Sequence, residues 1–335
     1  MQVKCDQKRR MPSQFSMREV LRNNLVVFVI ILLILVTVIV EPRMLSKQNI
    51  SNIISQLGAV SIISLGLTIA LIGGFVDLSV AGVINLVAIV TIKLINPLGQ
   101  FPALVLGLAF GVCLGLLNSF VLLSAGATSL FEAMFITYGL SSVYSALALQ
   151  LCGGATQQMF DITRNVQFIK GIGSGRIGMF TVPVIIFAVI LVIFNIFHKK
   201  TYLGRSITLV GGNKTAAGLA GIPVKKSIVL MFVASAFTAA LGAVVLFTRV
   251  GKASPTIGTG YDTEAILSVI VGGTSMKGGK GSVLRTLLGV LLITLMSNCM
   301  DLLGVSSYLQ VVLRGGILVL AIWLDNRKNH GGKGK

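Results

Sequence analysis

Four carboxylates stand inside or at the edges of strongly apolar stretches: Asp77 behind Gly73-Gly74, Glu132, and Asp262 with Glu264. One cation, Arg314, is placed the same way near the C-terminus. Charge in hydrocarbon is costly, so such groups either relay ions or neutralise one another. A proton or sodium site could use Asp77, Glu132 or Glu264. A structural ion pair of Arg314 with one of the acids is the plainer chemistry, and it outweighs a relay. Asp77 has a third use, because in Asp77-Leu78-Ser79 it could cap a helix start.

Two glycine-rich runs imitate nucleotide sites. Gly173-Ser174-Gly175-Arg176-Ile177-Gly178 fits the G-x-G-x-x-G pattern but follows no strand. Gly273 to Lys280 resembles a phosphate loop, yet its spacing is one residue too long and Gly281 stands where Ser or Thr should hold magnesium. No ATP site and no cofactor site is therefore expected in this chain. Cys5, Cys113, Cys152 and Cys299 show no paired metal spacing, and His198 and His330 are far apart. Zinc sites, disulfide frameworks and Cys/His catalysis have little to work with. The chemistry of an enzyme is missing.

The elements that must position these residues are membrane spans. The chain has 335 residues, 54% hydrophobic and 11% charged, against roughly 25% charged in soluble domains. Its apolar residues fall in blocks of about 20, the length that crosses a ~30 Å hydrocarbon core. The expected fold class is an all-α polytopic membrane protein with about ten transmembrane helices, near 25–41, 50–72, 78–96, 102–124, 129–152, 179–198, 227–248, 262–275, 283–301 and 305–324. The basic start followed by Leu25–Val40 resembles a signal peptide, but Glu41, Pro42 and Arg43 replace a small-residue cleavage site, so a retained anchor helix is expected. The span at 262–275 is short and glycine-rich. It reads as broken or re-entrant, a form tolerated where protein or a cavity covers the backbone.

The net charge of +18 invites a nucleic-acid partner, but nineteen of the 28 Lys/Arg lie in four segments: before residue 25, in 199–226, in 277–285 and after Asp325. With both termini cytoplasmic, all four fall inside, as the positive-inside bias requires. No nucleic acid is expected. The organisation is then a basic cytoplasmic segment 1–24, a single membrane domain 25–325 and a basic tail 326–335. The 153–178 loop falls outside, where it could cap a pore mouth, meet an external protein or merely connect two spans. The 199–226 loop falls inside, and its Ala- and Gly-rich run from Asn213 to Gly221 could form a short helix between basic residues.

Within the membrane, Gly73-Gly74 and Gly272-Gly273 each follow an apolar run and precede another span, a possible internal repeat. Gly107, Gly111 and Gly115 share one helix face, a packing seam within one subunit or between two. Asn85, Asn118, Tyr138, Ser141, Tyr144, Ser145, Asn298 and Gln310 could line a polar path, or simply bond helix to helix.

Three segments, in order, carry a family resemblance: Gly73-Gly74-Phe75-Val76-Asp77-Leu78-Ser79-Val80; Thr201 to Arg205 followed by Gly211 to Ile222; and Gly258 to Asp262, Glu264 to Ile266, and Val271 to Ser275 with Gly278 to Gly281. The chain resembles, over roughly 50–325, the permease subunits of bacterial ABC importers of ribose, xylose, arabinose and galactose, in the branched-chain amino acid and monosaccharide permease superfamily. Leu303 to Tyr308 fits too. The resemblance implies a monosaccharide delivered by an extracytoplasmic sugar-binding protein, a second permease copy (the same or a related chain), and separate ATPase subunits holding ATP and Mg. It also implies the bacterial inner membrane, with lipid headgroups near the basic loop. It makes 213–221 the coupling helix, with Gly212, Asn213, Ala216, Ala217 and Gly221 at the ATPase contact. Gly74, Asp77, Ser79, Glu264, Gly272, Gly273 and Thr274 become motif or pathway candidates. Lys214, Phe75 and Glu264 depart from the family's usual residues. The rivals are an ion-coupled secondary transporter, a receptor or scaffold docking at 199–226, and an ABC permease for an autoinducer, nucleoside or branched-chain amino acid.

Overall fold

A computed structural model describes residues 25–330 apart from Thr128 and Met179. The basic segment 1–24 and the last five residues of the tail lie outside the described residues. Helices dominate. In chain order they are α1 (Leu25–Val40), α2 (Lys47–Ile72), α3 (Val80–Leu98), α4 (Gln100–Ser124), α5 (Leu130–Leu151), α6 (Gln167–Ser174), α7 (Val182–Lys200), α8 (Tyr202–Gly212), α9 (Lys214–Leu219), α10 (Val224–Val250), α11 (Tyr261–Val271), α12 (Val283–Leu302) and α13 (Ser307–His330). Four two-residue strands, β1 (Gln157–Gln158), β2 (Arg176–Ile177), β3 (Phe180–Thr181) and β4 (Lys252–Ala253), pair antiparallel as β1 with β4 and β2 with β3.

Among the described residues seven helices, α2, α3, α4, α5, α7, α10 and α12, are long and apolar enough to cross a membrane, and Val26–Val40 and Ser307–Ile322 are shorter apolar helices. Helices suit this setting because each satisfies its own backbone polar groups where no water can. The chain is an all-α polytopic membrane protein. The segment expected to be broken is short: α11 has 11 residues, about 16 Å at 1.5 Å per residue, half the hydrocarbon thickness.

The core centres on α2, α3 and α10, whose apolar side chains are the most enclosed. Lipid offers no hydrophobic drive between helices, so close approach through small residues does the work. The Gly107/Gly111/Gly115 face shows it. A Cβ at these positions would lie 2.0 Å from Thr91 Oγ1, 2.4 Å from Ala240 Cβ and 2.8 Å from Phe232 O respectively. The seam packs on α3 and α10 of the same chain.

The 153–178 segment is a folded cover, not a plain connection. Thr163 N–H donates to Asn96 Oδ1 (3.1 Å), Arg164 Nη2 to Pro97 O (3.1 Å) and Ile169 N–H to Gln100 Oε1 (3.3 Å). Phe168 of α6 packs on Phe101 with ring centroids 4.7 Å apart. This cover lies at the C-terminal end of α3; α8 and α9 lie at the other end of the bundle, near the start of α3.

Candidate functional site

The three motif segments, scattered over 200 residues of sequence, meet at one place. α2 ends at Ile72 in a Schellman motif: Gly74 N–H donates to Leu71 O (2.9 Å), Phe75 N–H to Ala70 O (3.0 Å), and Gly74 takes φ 78°. Gly279 N–H donates to the outgoing Ile72 carbonyl at 2.8 Å. Gly211, in the last turn of α8, is wedged between them. A Cβ there would lie 2.0 Å from Ile72 O, 2.7 Å from Gly279 N and 2.9 Å from Gly73 C. A Cβ on Gly278 would lie 2.6 Å from Gly211 O and 2.7 Å from Gly74 Cα. Three backbones touch directly, and only glycine permits it.

The loop from α11 reaches this junction with the same helix ending. Gly273 N–H donates to Ile270 O (2.9 Å) and Thr274 N–H to Val269 O (3.2 Å), so Gly272-Gly273 closes α11 as Gly73-Gly74 closes α2. The local backbones of the two breaks match, though α2 has 26 residues and α11 has 11. Thr274 is buried, and a Cβ on Gly281 would sit 2.6 Å from Ile72 Cγ1 and 2.7 Å from Thr274 Cγ2.

On top of the junction stands α9, a single capped turn and a half. Asn213 accepts at Oδ1 from Ala216 N–H (3.0 Å), satisfying a donor that the helix start leaves open. Gly221 N–H donates to Gly218 O (3.0 Å) and Ile222 N–H to Ala217 O (3.0 Å), with Gly221 at φ 75°. Caps at both ends let a helix this short hold its shape. Thr215, Ala216, Gly218, Leu219 and Ala220 are exposed. The two alanines expected at the ATPase contact differ in exposure, Ala216 being exposed and Ala217 buried. Ala217 is 5% exposed and anchors α9 to the body, because adjacent helical residues point about 100° apart. Leu219 is 87% exposed and takes the outward position. It is the sole large apolar residue in 213–221. Gly212 is exposed at the end of α8, and a Cβ there would meet nothing.

Lys214 and Phe75, two of the departures from the family pattern, are in contact: Lys214 Nζ lies 3.7 Å from the Phe75 ring centroid. Phe75 is fully buried and packs edge-on against Phe232 of α10, centroids 5.9 Å apart. Burial pushes the Lys214 ammonium below its ordinary pKa, while the charge of Glu132 pulls the other way.

Two residues further on, Asp77 is fully buried. Its Oδ1 accepts from Ser79 N–H (3.0 Å) and Ser79 Oγ–H (2.6 Å). The expected cap is corrected, because Ser79 rather than Asp77 stands at the N-cap of α3, with no side-chain cap bond, and Asp77 instead fixes the turn that leads into the helix. Its Oδ2, toward Ser235, completes no hydrogen bond. Asn118 Nδ2 donates to Ser79 Oγ (2.7 Å), and Tyr144 Oη donates to Asn118 Oδ1 (2.7 Å). The chain of bonds joins α3, α4 and α5. Nearby, Gly82 N–H donates to Ser141 Oγ (3.1 Å), Asn85 Nδ2 to Ser145 Oγ (3.0 Å) and Gly258 N–H to Asn85 Oδ1 (2.7 Å). Asn298 exchanges bonds with Asn49, and Gln310 donates to Asp301. These polar residues tie helices together. Tyr138 faces outward at 64% exposure.

Glu132 and Glu264 are also engaged. Glu132 forms a capping box with Ser129 at the start of α5; it sits at a helix end, not mid-span. Glu264 pairs with Arg314 at 3.7 Å and takes a 3.5 Å bond from Ser297 Oγ. This is the ion pair weighed above, and it lies at the far end of α11 from the junction. In the phosphate-loop imitation, Gly278 N–H bonds Ser275 O, Gly279 N–H bonds Ile72 O and Ser275 N–H bonds Lys280 O. Those amides are committed internally. Gly173 to Gly178 runs from α6 into the β2–β3 hairpin, so a helix and not a strand leads directly into it.

Fold and site define a polytopic membrane protein with a capped surface helix seated on a three-way glycine junction. A family model described as the permease component of the branched-chain amino acid transport system matches residues 49–322, and the chain belongs to that family. It is 32% identical over 302 residues to the ribose import permease protein of Haemophilus influenzae, covering 89% of this chain and 91% of that one. The ribose import permease protein of Bacillus subtilis is 32% identical with the same coverage. The D-allose transport system permease protein of Escherichia coli is 32% identical over 84% of each chain. No solved structure matches the chain.

Proposed function

We propose that this chain is the membrane-spanning permease subunit of an ABC importer that moves a monosaccharide across the bacterial inner membrane. The observation that carries the reading is the match over nine-tenths of the chain to ribose import permeases, with allose and galactose permeases beside them. Those names favour a pentose or hexose over an autoinducer, nucleoside or branched-chain amino acid. The chain performs no hydrolysis itself. ATP and Mg belong to a partner ATPase, and an extracytoplasmic binding protein delivers the sugar to a dimer of permeases.

In this reading ten segments cross or enter the membrane: the seven long helices, the two shorter apolar ones and the half-height α11. Both termini and the α8–α9 end face the cytoplasm, which puts every basic cluster inside and the folded 153–178 cover outside. α9 is the coupling helix. Nucleotide-driven motion of the ATPases displaces it, and the junction passes the movement to the α2–α3 break and the α11–α12 loop together. Such coupling requires contacts that differ between two states; rigid backbone contact at the junction makes α9 a lever rather than a loose loop.

Ion-coupled transport finds less support, because Glu132 caps a helix and Glu264 is paired with Arg314. Purification of the tagged chain from its own host, followed by reconstitution, tests the proposal. An ATPase and a sugar-loaded binding protein should accompany it, and uptake into proteoliposomes should need ATP. Uptake driven by an ion gradient without either partner would sink it.

A further inference from the structure

We infer that Lys214 seats on Phe75 to lock α9 to the α2–α3 break, making this lysine a positioning residue for energy coupling; the inference rests on the coupling role proposed for α9. The geometry connects what would otherwise be two surfaces. Lys214 is the first residue of α9, and its ammonium lies 3.7 Å from the Phe75 ring centroid. Phe75 follows directly on the Schellman turn that ends α2 and is itself fully enclosed. Its ring packs edge-on against Phe232 of α10, so a push on Lys214 meets a packed ring rather than a mobile side chain. Two residues beyond, Asp77 bonds Ser79 and thereby joins the Asn118 and Tyr144 chain across α4 and α5. Displacement of α9 therefore reaches three spans through one aromatic ring. The charge of Glu132, which caps α5, also attracts the same ammonium.

A cation over an aromatic face is worth most when both are desolvated, and a half-buried lysine on a buried ring meets that condition. The cation should then matter beyond the length of the side chain. Lys214→Met keeps the length, Lys214→Arg keeps a cation able to stack, and Phe75→Leu removes the ring but not the apolar fill.

The test is a double-mutant cycle on the full chain, read two ways. Hydrogen exchange of the amides of 73–79 in the purified chain reads the seat without any partner. Sugar uptake per ATP hydrolysed in the reconstituted complex reads the coupling. Lys214→Met and Phe75→Leu should each speed exchange about three- to tenfold, the range such a contact supports. The pair together should add little more. Uptake per ATP should fall by a similar factor in both and recover in Lys214→Arg. Unchanged exchange, or additive effects, overturns the seat. Faster exchange with unaltered uptake per ATP overturns the coupling role. A wild-type chain that recruits no ATPase refutes the proposed function itself, and the exchange cycle still decides the seat.

Discussion

Gly211 and Gly212 are neighbours in sequence and opposites in structure, and a pair of alanine substitutions exposes the difference. Neither has a positive φ, so backbone strain is not at issue and alanine should raise helix propensity at both. At Gly212 the new methyl meets nothing within 4 Å. Gly212→Ala should leave stability within ~0.5 kcal/mol of wild type, or raise it slightly through lost freedom of the unfolded chain. At Gly211 the methyl would press to 2.0 Å from Ile72 O, 2.7 Å from Gly279 N and 2.9 Å from Gly73 C, all of them backbone. No side-chain rotation relieves that. Overpacking alone costs ~1–3 kcal/mol. Parting the Gly279 N–H···O=C Ile72 bond adds ~1 kcal/mol or more, because both groups are left in a dry junction. The total is about 2–4 kcal/mol. Denaturation of the purified variants in one detergent reads the stability, and proteoliposome uptake reads whether the junction still transmits. If Gly211→Ala is as stable as Gly212→Ala, direct contact of the three backbones is wrong.

Leu219→Asp should abolish co-purification of the ATPase while leaving the denaturation midpoint unchanged, since the side chain is 87% exposed; retained binding would remove Leu219 from the docking face. Ala217→Asp should act in the other way, destabilising the chain by about 3 kcal/mol or more through an unpaired buried charge, measured by the same denaturation. Gly221→Ala should cost about 1–2 kcal/mol because φ 75° disfavours a Cβ, and faster amide exchange at Ile222 should report the loosened cap. Arg314→Met should destabilise by about 3 kcal/mol by stranding Glu264. Adding Glu264→Gln should restore most of that loss, and a double variant no better than the single would show that the pair carries no energy.

Much of the architecture was legible because membranes constrain sequence severely. Apolar blocks about 20 residues long, clustered lysines and arginines, and glycine pairs at the ends of runs are one-dimensional signals of helices, sidedness and breaks. The same holds for the ends of α9: Asn213 and Gly221 are residues whose local chemistry favours caps, and they cap.

Which side of a short helix faces inward is not local information. Ala216 and Ala217 are chemically identical, and only the body beneath α9 decides that one is exposed and the other a buried anchor. Glu132 looked like an intramembrane acid because its flanks are apolar; its partner Ser129 and the turn of the chain make it a cap. Arg314 could have paired with any of several acids, and the packing of α13 on α11 chose Glu264.

By itself the sequence determined the class of molecule: a multi-spanning helical bundle with two matched glycine breaks and a capped basic-loop helix. These depend on composition, periodicity and residue-level propensity, which act over a few turns of chain. The tertiary structure alone decided that Ile72-Gly73-Gly74, Gly211 and Gly278-Gly279 converge, and that Lys214 rests on Phe75. Contacts between residues 60 to 200 positions apart are set by how whole helices pack, and no short window of sequence carries that geometry.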